Sequence, residues 1–260
     1  MSPVAAPRPT VVVTRPAAQA APWVAALRQA GWAVLPLPLI DIAPVADAAT
    51  LRAMMGPWHG WAAVMAVSPA SVEVLRAAGV PAPPDGVRCW APGEGTAQAW
   101  RAWGVDPGRI DHPPRDSAQM DSEALWPLVR QQLAPGARVL IVRGASPDGR
   151  TGRDWLAQRC REVGAQVVER VVYRRVPPTW DADRAQQARL AVGPGAVWLF
   201  SSSEAIANLP QLLPQAPWGH TQAIATHPRI ADVARALGVG RVHTCRPALP
   251  DVLQALESLA

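Results

Sequence analysis

The chain has 260 residues, 49% of them hydrophobic and 17% charged, and its formal net charge is +5. This composition excludes an intrinsically disordered protein, and no apolar run approaches the roughly 20 residues that a membrane-spanning helix needs. Residues 1–9 hold no apolar signal core, so we expect a cytoplasmic protein without membrane contact.

Short apolar runs alternate with helical patterns along the chain. Apolar runs bounded by turn residues predict strands at residues 10–14, 33–35, 62–67, 87–91, 109–111, 138–142, 166–169, 196–200, 222–225 and 241–243. Helices are predicted between them, near residues 17–30, 69–78, 94–103, 122–133, 152–163, 203–209, 228–237 and 249–258. Such alternation is typical of parallel sheets with helices on both faces, so the predicted fold class is α/β.

Parts of the chain repeat each other. Two pairs of blocks share one offset, 134 residues, which separates Ser68 from Ser202 and Gly104 from Gly238. The matching pairs are 62–69 with 196–203, 100–105 with 234–239 and, at a different offset, 11–15 with 140–143. Each block is typical of a strand, a turn and a helix, so the chain is predicted to form two similar α/β lobes. We expect the ligand to bind in the cleft between them.

Two extended segments closed by proline, 36–45 and 171–177, interrupt this alternation. We interpret them as paired connectors between the lobes. The chain then crosses from lobe to lobe twice. Lobe 1 is discontinuous and consists of residues 1–35 and 178–260, and lobe 2 consists of residues 46–170.

Turns that join a strand to a helix are the places where we expect ligand binding, because unpaired N–H groups there attract anions. Ser68 and Pro69 are typical of a helix N-cap and first helical position, and residues 201–204 have the spacing of a capping box. The turns at 92–96 and 226–229 occupy the matching places one strand later. Each turn alone indicates a helix cap, and four at equivalent edges favour an anionic ligand.

The basic residues are all arginines, since the sequence contains no lysine. This excludes Schiff-base and phosphate-loop lysine chemistry. Guanidinium groups bind carboxylates, and Arg15 and Arg143 end equivalent predicted strands. The arginines form no basic block, so a polyanionic small molecule fits better than nucleic acid. The cysteines and histidines lack the spacing of metal ligands, and we expect neither a metal nor a cofactor.

Short motifs occur in the order seen in uroporphyrinogen-III synthases, and through them the chain resembles that family. They are residues 11–16 (VVVTRP), 38–42 (PLIDI), 67–69 (VSP), 93–96 (GEGT), 121–125 (DSEAL), 140–144 (LIVRG), 172–175 (VYRR), 200–205 (FSSSEA) and 227–231 (HPRIA). The ordered set covers the chain from about residue 10 to residue 253. One departure is Val67, where the family often has threonine.

The resemblance implies two flavodoxin-like lobes joined by a two-stranded ladder. It implies a hydro-lyase of porphyrin and heme biosynthesis that converts linear hydroxymethylbilane to uroporphyrinogen III, with ring D inverted through a spiro intermediate. We expect the enzyme to work as a monomer, without a cofactor, and to contact hydroxymethylbilane synthase transiently. Its substrate is rich in carboxylates, which suits arginines and helix N-termini.

Tyr173 is the only tyrosine of the chain and lies in a predicted connector. Its position alone indicates an amphipathic residue packed at a domain junction. The resemblance implies that it faces the cleft and helps the substrate hydroxyl to leave. The candidate substrate-binding residues are Arg15, Ser68, Gly93, Thr96, Ser122, Arg143, Ser201, Ser202, Ser203, His227, Arg229 and Ile230.

Two other functions remain compatible with two lobes. A small-molecule binding module of periplasmic type has the same architecture, but we expect such a protein to carry a signal peptide. A sugar-phosphate isomerase also uses serine-rich turns beside a glutamate or histidine base. Glu204 is the candidate for that base.

Overall fold

The computed structural model describes residues 8–114, 121–152 and 154–259, and it divides the chain into two compact units. Unit 1 is formed by Met1–Asp41 together with Pro177–Ala260, and unit 2 by Ile42–Val176. Each unit has its own sheet, so the chain leaves unit 1, builds unit 2 and returns.

The strands are β1 (Thr10–Val13), β2 (Val34–Pro36), β3 (Asp41–Pro44), β4 (Ala63–Ala66), β5 (Arg88–Trp90), β6 (Ile110–Asp111), β7 (Arg138–Ala145), β8 (Gln166–Val176), β9 (Ala196–Phe200), β10 (Gln222–Ala225) and β11 (Arg241–Thr244). The helices are α1 (Ala17–Gln29), α2 (Ala48–Met55), α3 (Pro69–Ala77), α4 (Glu94–Ala102), α5 (Ser122–Val129), α6 (Trp155–Glu162), α7 (Ala182–Leu190), α8 (Ser203–Ala207), α9 (Leu209–Leu212), α10 (Pro228–Ala236) and α11 (Leu249–Glu257). No helix of the described ranges is long and apolar enough to cross a membrane.

The two sheets have the same spatial arrangement of strands, but the chain forms these strands in a different sequence in each unit. Unit 1 has the order β2-β1-β9-β10-β11, and unit 2 has β8-β7-β4-β5-β6, with β3 beside β8 at the edge. The paired strands of unit 1, and those from β8 to β6 in unit 2, are all parallel. Unit 1 therefore has the flavodoxin-like order 2-1-3-4-5, and unit 2 is a circular permutation of it.

Burial on both faces of the sheets explains the apolar runs of the sequence. All residues of β4 and β9 are buried. Val64 and Ala66 of β4 pack in one cluster with Leu75 of α3, whereas Met65 packs on the other face with Leu125 of α5. Successive residues of a strand point to opposite faces, so a strand covered on both sides has no polar alternation.

The predicted α/β fold is confirmed, and every predicted strand and helix has a counterpart in the structure. The short helix α9 begins only where the predicted helix over 203–209 ends, and it was not predicted. Two longer helices, α2 and α7, were not predicted either. Each begins after an aspartate, Asp47 or Asp181, whose carboxylate accepts a backbone N–H three residues later. Helix α7 buries only Ala188, so it lacks the apolar periodicity on which the helix predictions depend. Strand β8 runs on to Val176, well beyond the predicted end at residue 169.

Burial suppresses the reactivity of the cysteines, all of which are free thiols. Burial raises the pKa of Cys89 to about 12 and that of Cys160 to about 11. Cys245 is only partly buried, and desolvation also raises the pKa of its thiol. Because the thiolate is the reactive form, all three react more slowly than a free thiol.

We expect a thiol-specific aromatic disulfide reagent at pH 8 to modify Cys245 alone in the native protein, and slowly. In denaturant the same reagent should modify all three cysteines, because unfolding removes the desolvation that disfavours their thiolates. The absorbance of the released thiol measures both results. Rapid modification of Cys89 or Cys160 in the native state would contradict the buried positions of these residues.

Candidate functional site

The turns after β4 and β5 in unit 2 contain the predicted cap residues. Ser68 is the N-cap of α3, and its Oγ accepts the backbone N–H of Ser71 at 3.3 Å. Pro69 occupies the first helical position, as predicted. Gly93 is the N-cap of α4, and Thr96 is buried in the first turn of that helix.

The equivalent turns of unit 1 begin α8 and α10. Ser202 is the N-cap of α8 and accepts the backbone N–H of Ala205 at 3.3 Å. The predicted capping box between Ser201 and Glu204 is wrong, because the N-cap is Ser202 and Glu204 is only the second residue of the helix. His227 is the N-cap of α10, where its Nδ1 accepts the backbone N–H of Arg229 at 3.1 Å.

These two turns of unit 1 surround an open cavity of about 390 Å³. It is lined by Ser202, Ser203, Glu204, His227, Arg229 and Ile230. Five of these are among the predicted binding residues, which the structure therefore brings together; Ser201 does not line the cavity. Arg229 and the first N–H groups of α10 give the cavity a positive side that suits carboxylates.

Tyr173 lies in unit 2, where it is 4% exposed and contacts Ser68. Its Oη is 3.0 Å from Ser68 Oγ, which is in turn 3.2 Å from Ser71 Oγ. The ring lies directly against Gly144, which pairs with Tyr173 across β7 and β8. The structure thus joins two predicted residues, Tyr173 and Ser68, and adds two that sequence reasoning missed, Ser71 and Gly144.

Arg15 and Arg143 occupy equivalent positions but differ in their partners. Arg143 is 5% exposed, and its Nη1 lies 2.9 Å from Glu169 Oε2. Arg15 is half-buried, stacks over the ring of Trp23 at 4.2 Å and makes no ion pair with any described residue. Desolvation lowers the pKa of Arg15. A partly buried guanidinium without a carboxylate is suited to bind an anionic group of a ligand.

The remaining predicted residue, Ser122, is the first residue of α5. The N-cap of that helix is Asp121, which accepts the backbone N–H groups of Glu123 and Ala124, each at 3.0 Å. A carboxylate therefore already occupies the anion-binding end of α5, and Ser122 lies in a turn less suited to an anionic substrate than those that begin with serine or glycine.

The described part of the chain contains no candidate metal site. No group of three or more histidine, cysteine, aspartate or glutamate side chains there is arranged to hold an ion. What the described residues do offer is a set of hydroxyls, backbone N–H groups and arginines at strand ends, together with one buried phenol. This combination can bind carboxylates and donate a proton weakly.

Comparison with known proteins identifies a family. A family model described as uroporphyrinogen-III synthase HemD matches residues 21–253. The chain is also 29% identical over 210 residues to a uroporphyrinogen-III synthase of Chlorobaculum parvum (strain DSM 263 / NCIMB 8327), an alignment that covers 76% of this chain and 77% of the relative.

Solved structures show the same fold. Uroporphyrinogen-III synthetase from Helicobacter pylori 26695 matches with a TM-score of 0.60 and 16% identity, over 98% of this chain and 100% of that chain. A mutant uroporphyrinogen III synthase from the extremely thermophilic bacterium Thermus thermophilus matches with a TM-score of 0.51 and 19% identity, over 96% and 98% of the two chains. At such identities the likeness concerns the fold alone.

Proposed function

Because the chain belongs to the uroporphyrinogen-III synthase family, we propose that its strand-end turns bind hydroxymethylbilane and fold it for closure to uroporphyrinogen III. The enzyme is a lyase of tetrapyrrole and heme biosynthesis. The observation that carries this function is the family match over residues 21–253. The polar turns with helix N-termini supply a means of binding a polycarboxylate.

The chemistry requires little from the protein beyond geometry. The hydroxyl of the substrate's terminal hydroxymethyl group accepts a proton and leaves as water, while the nitrogen of the pyrrole that carries this group supplies electrons to the methylene carbon left behind. A carbon of the last pyrrole ring, ring D, then attacks that carbon. Attack by the substituted carbon of ring D gives a spiro intermediate. The older bond from that carbon to the ring C methylene then breaks, the methylene bonds to the free carbon of ring D, and this carbon loses a proton, which leaves ring D inverted. Holding the chain so that this carbon is the nearer one decides the product.

Tyr173 is the proposed proton donor to the leaving hydroxyl. It is the only phenol of the chain, and its hydroxyl already takes part in a hydrogen-bonded chain with Ser68 and Ser71. A phenol is a weak acid, which is sufficient here because the pyrrole nitrogen supplies most of the driving force.

Each unit contributes carboxylate-binding groups of its own to the proposed function. In unit 1 these are Ser202, Ser203, His227 and Arg229, and Ile230 lines the same cavity. Arg15 adds a guanidinium that no described carboxylate neutralises. In unit 2 the carboxylate-binding groups are the backbone N–H groups at the starts of α3 and α4, in the turns that hold Ser68, Gly93 and Thr96. Gly95 and Pro69 approach closely enough to make these two helix starts neighbours.

The enzyme is proposed to act as a monomer in the cytoplasm. Its substrate also closes spontaneously to the type I isomer, in which ring D is not inverted. Rapid transfer from the enzyme that makes hydroxymethylbilane reduces this loss, so we include a transient contact with hydroxymethylbilane synthase in the proposal.

Replacing the two equivalent arginines separates binding from stability. Arg15→Met should raise KM for hydroxymethylbilane about tenfold, the effect of losing one charge-assisted hydrogen bond, with kcat little changed. Arg143→Met should instead lower the free energy of unfolding by roughly 1–3 kcal/mol, because Glu169 loses a buried partner. Steady-state kinetics and urea denaturation of both variants measure the difference. An unchanged KM in Arg15→Met would remove Arg15 from the binding residues.

Tyr173→Phe should lower kcat by at most about 100-fold, the low end of what general acids contribute. The substrate supplies most of the driving force, so the loss should not be complete. The variant should unfold at nearly the same urea concentration, since the ring still fills its place. Complete inactivation of a folded variant would show that the phenol does more than assist, and full activity would show that its role is only structural.

The isomer ratio tests the function itself. Purified protein in the presence of a chelator should convert freshly generated hydroxymethylbilane mainly to the type III isomer, because both isomers arise from the same activated chain and the protein selects between them by geometry. Oxidation to porphyrins followed by chromatography measures the ratio. Heat-denatured protein is the control. If the type I isomer dominates at every protein concentration, the synthase function fails, and binding of small molecules without catalysis becomes the better explanation.

A further inference from the structure

We propose that Gly144 and Ser68 are positioning residues for Tyr173. Gly144 sets where the phenol ring lies, and Ser68 sets which hydrogen bond the phenol oxygen makes within the protein. The inference rests on the proposed function, because it takes Tyr173 as the group that protonates the leaving hydroxyl. Neither residue needs to contact the substrate to act in this way.

An irregularity in the pairing of β7 and β8 determines the side of the sheet on which the Tyr173 side chain lies. Along β7 and β8, Arg143 pairs with Val171 but Gly144 pairs with Tyr173, so Val172 is an extra residue in β8. Bulges of this kind redirect side chains. Val172 and Tyr173 are consecutive, yet both are buried in the cluster that contains Leu75 of α3. In a regular strand they would point to opposite faces, so the bulge brings the phenol to the side of the sheet that α3 covers.

The missing side chain of Gly144 leaves room for the hydroxyl end of the ring. A Cβ on Gly144 would lie 2.1 Å from Tyr173 Cζ, 2.3 Å from Cε2 and 2.7 Å from Cε1. These atoms carry or flank the phenol oxygen. Any larger residue at position 144 must therefore move the ring by more than an ångström, which breaks the geometry of a proton transfer. Gly144 is required here for close approach of its neighbour.

Ser68 connects the phenol to the first turn of α3. Its Oγ accepts the backbone N–H of Ser71 and lies 3.2 Å from Ser71 Oγ. Ser71 is fully buried. When the backbone N–H and the hydroxyl of Ser71 both donate to Ser68 Oγ, both lone pairs of Ser68 Oγ are used. The hydroxyl proton of Ser68 then points to Tyr173 Oη. A hydrogen bond donated to the phenol oxygen leaves the phenol O–H directed to the substrate.

The helix cap alone does not explain this arrangement. Ser202 makes the same N-cap in unit 1 with the same 3.3 Å distance, and tyrosine does not occur there because Tyr173 is the only one in the chain. The contact between Ser68 and Tyr173 is therefore additional to capping. It ties the phenol position to the start of α3.

The single tyrosine permits a direct spectroscopic test without substrate. Protein labelled with ¹³C at the tyrosine ζ carbon should give one resonance, which reports on Tyr173 alone. Ser68→Ala and Gly144→Ala should both shift this resonance. The matched controls are Asp47→Ala, which removes the N-cap of α2, and Gly195→Ala, where an added Cβ meets open space. An unmoved resonance in Ser68→Ala would overturn the inference even if Gly144→Ala fails to fold.

Kinetics then test whether Ser68 acts through the phenol. Ser68→Ala should lower kcat about threefold to tenfold, as expected for one hydrogen bond, with KM nearly unchanged. Ser68→Thr keeps the hydroxyl and should retain most of kcat. In a Tyr173→Phe background, Ser68→Ala should have no further effect on kcat, because the group that it positions is gone. An equal loss in both backgrounds would show that Ser68 acts independently and would overturn the inference.

The results that would contradict the proposed role of Tyr173 as proton donor differ from those that would contradict the positioning roles. If Tyr173→Phe keeps full kcat, the assignment of the phenol as proton donor is wrong, whatever the resonance does. If Tyr173→Phe loses kcat while Ser68→Ala keeps both the resonance and kcat, the proton donor stands and the positioning role of Ser68 fails.

Discussion

Parallel strand pairing is the constraint from which the site follows. Parallel neighbours require a crossover connection, so each sheet is covered on both faces and all strand ends collect at one edge. In unit 1 this buries every residue of β9 and places Ser202 two residues after the end of that strand. The first backbone N–H groups of the next helix have no partner in the helix. A serine cap accepts one of them and a glycine cap accepts none, so others stay accessible. Anion binding thus needs no dedicated motif.

The first parallel strand of unit 2, β4, takes the place of the third strand of unit 1, β9. Equivalent residues of the two units are therefore found from the strand pairing and not from their order along the chain. Val13 pairs with Leu199, and Ile141 pairs with Met65, the residue 134 positions before Leu199, which makes Arg15 and Arg143 equivalent. The same comparison sets Glu169, the partner of Arg143, against Pro36. Proline has no carboxylate, so Arg15 keeps its charge for a ligand. One fold therefore gives one arginine a structural role and the other a proposed binding role.

The sequence predicts what depends on local patterns. Apolar runs located the strands, and the Ser68–Pro69 pair located the start of α3. Among the three consecutive serines after β9, however, the cap is chosen by backbone geometry, since Ser202 is the residue in the extended conformation before the helix. Position alone also left the role of Tyr173 open. Its contacts with Gly144 and Ser68 join residues far apart in sequence, through a bulge that no local pattern indicates.

The position of the Tyr173 phenol is coupled to the start of α3, and this coupling connects substrate binding with the proposed proton transfer. Ser68 caps α3 with the same oxygen that meets Tyr173 Oη, so a shift in the first turn of α3 also moves the phenol. That turn neighbours the start of α4, where Thr96 is buried. A carboxylate bound to the N–H groups of these helices would hold the turn in place. Substrate binding would then fix the proton donor, which explains how a weak acid at a strand end can still act at a defined atom.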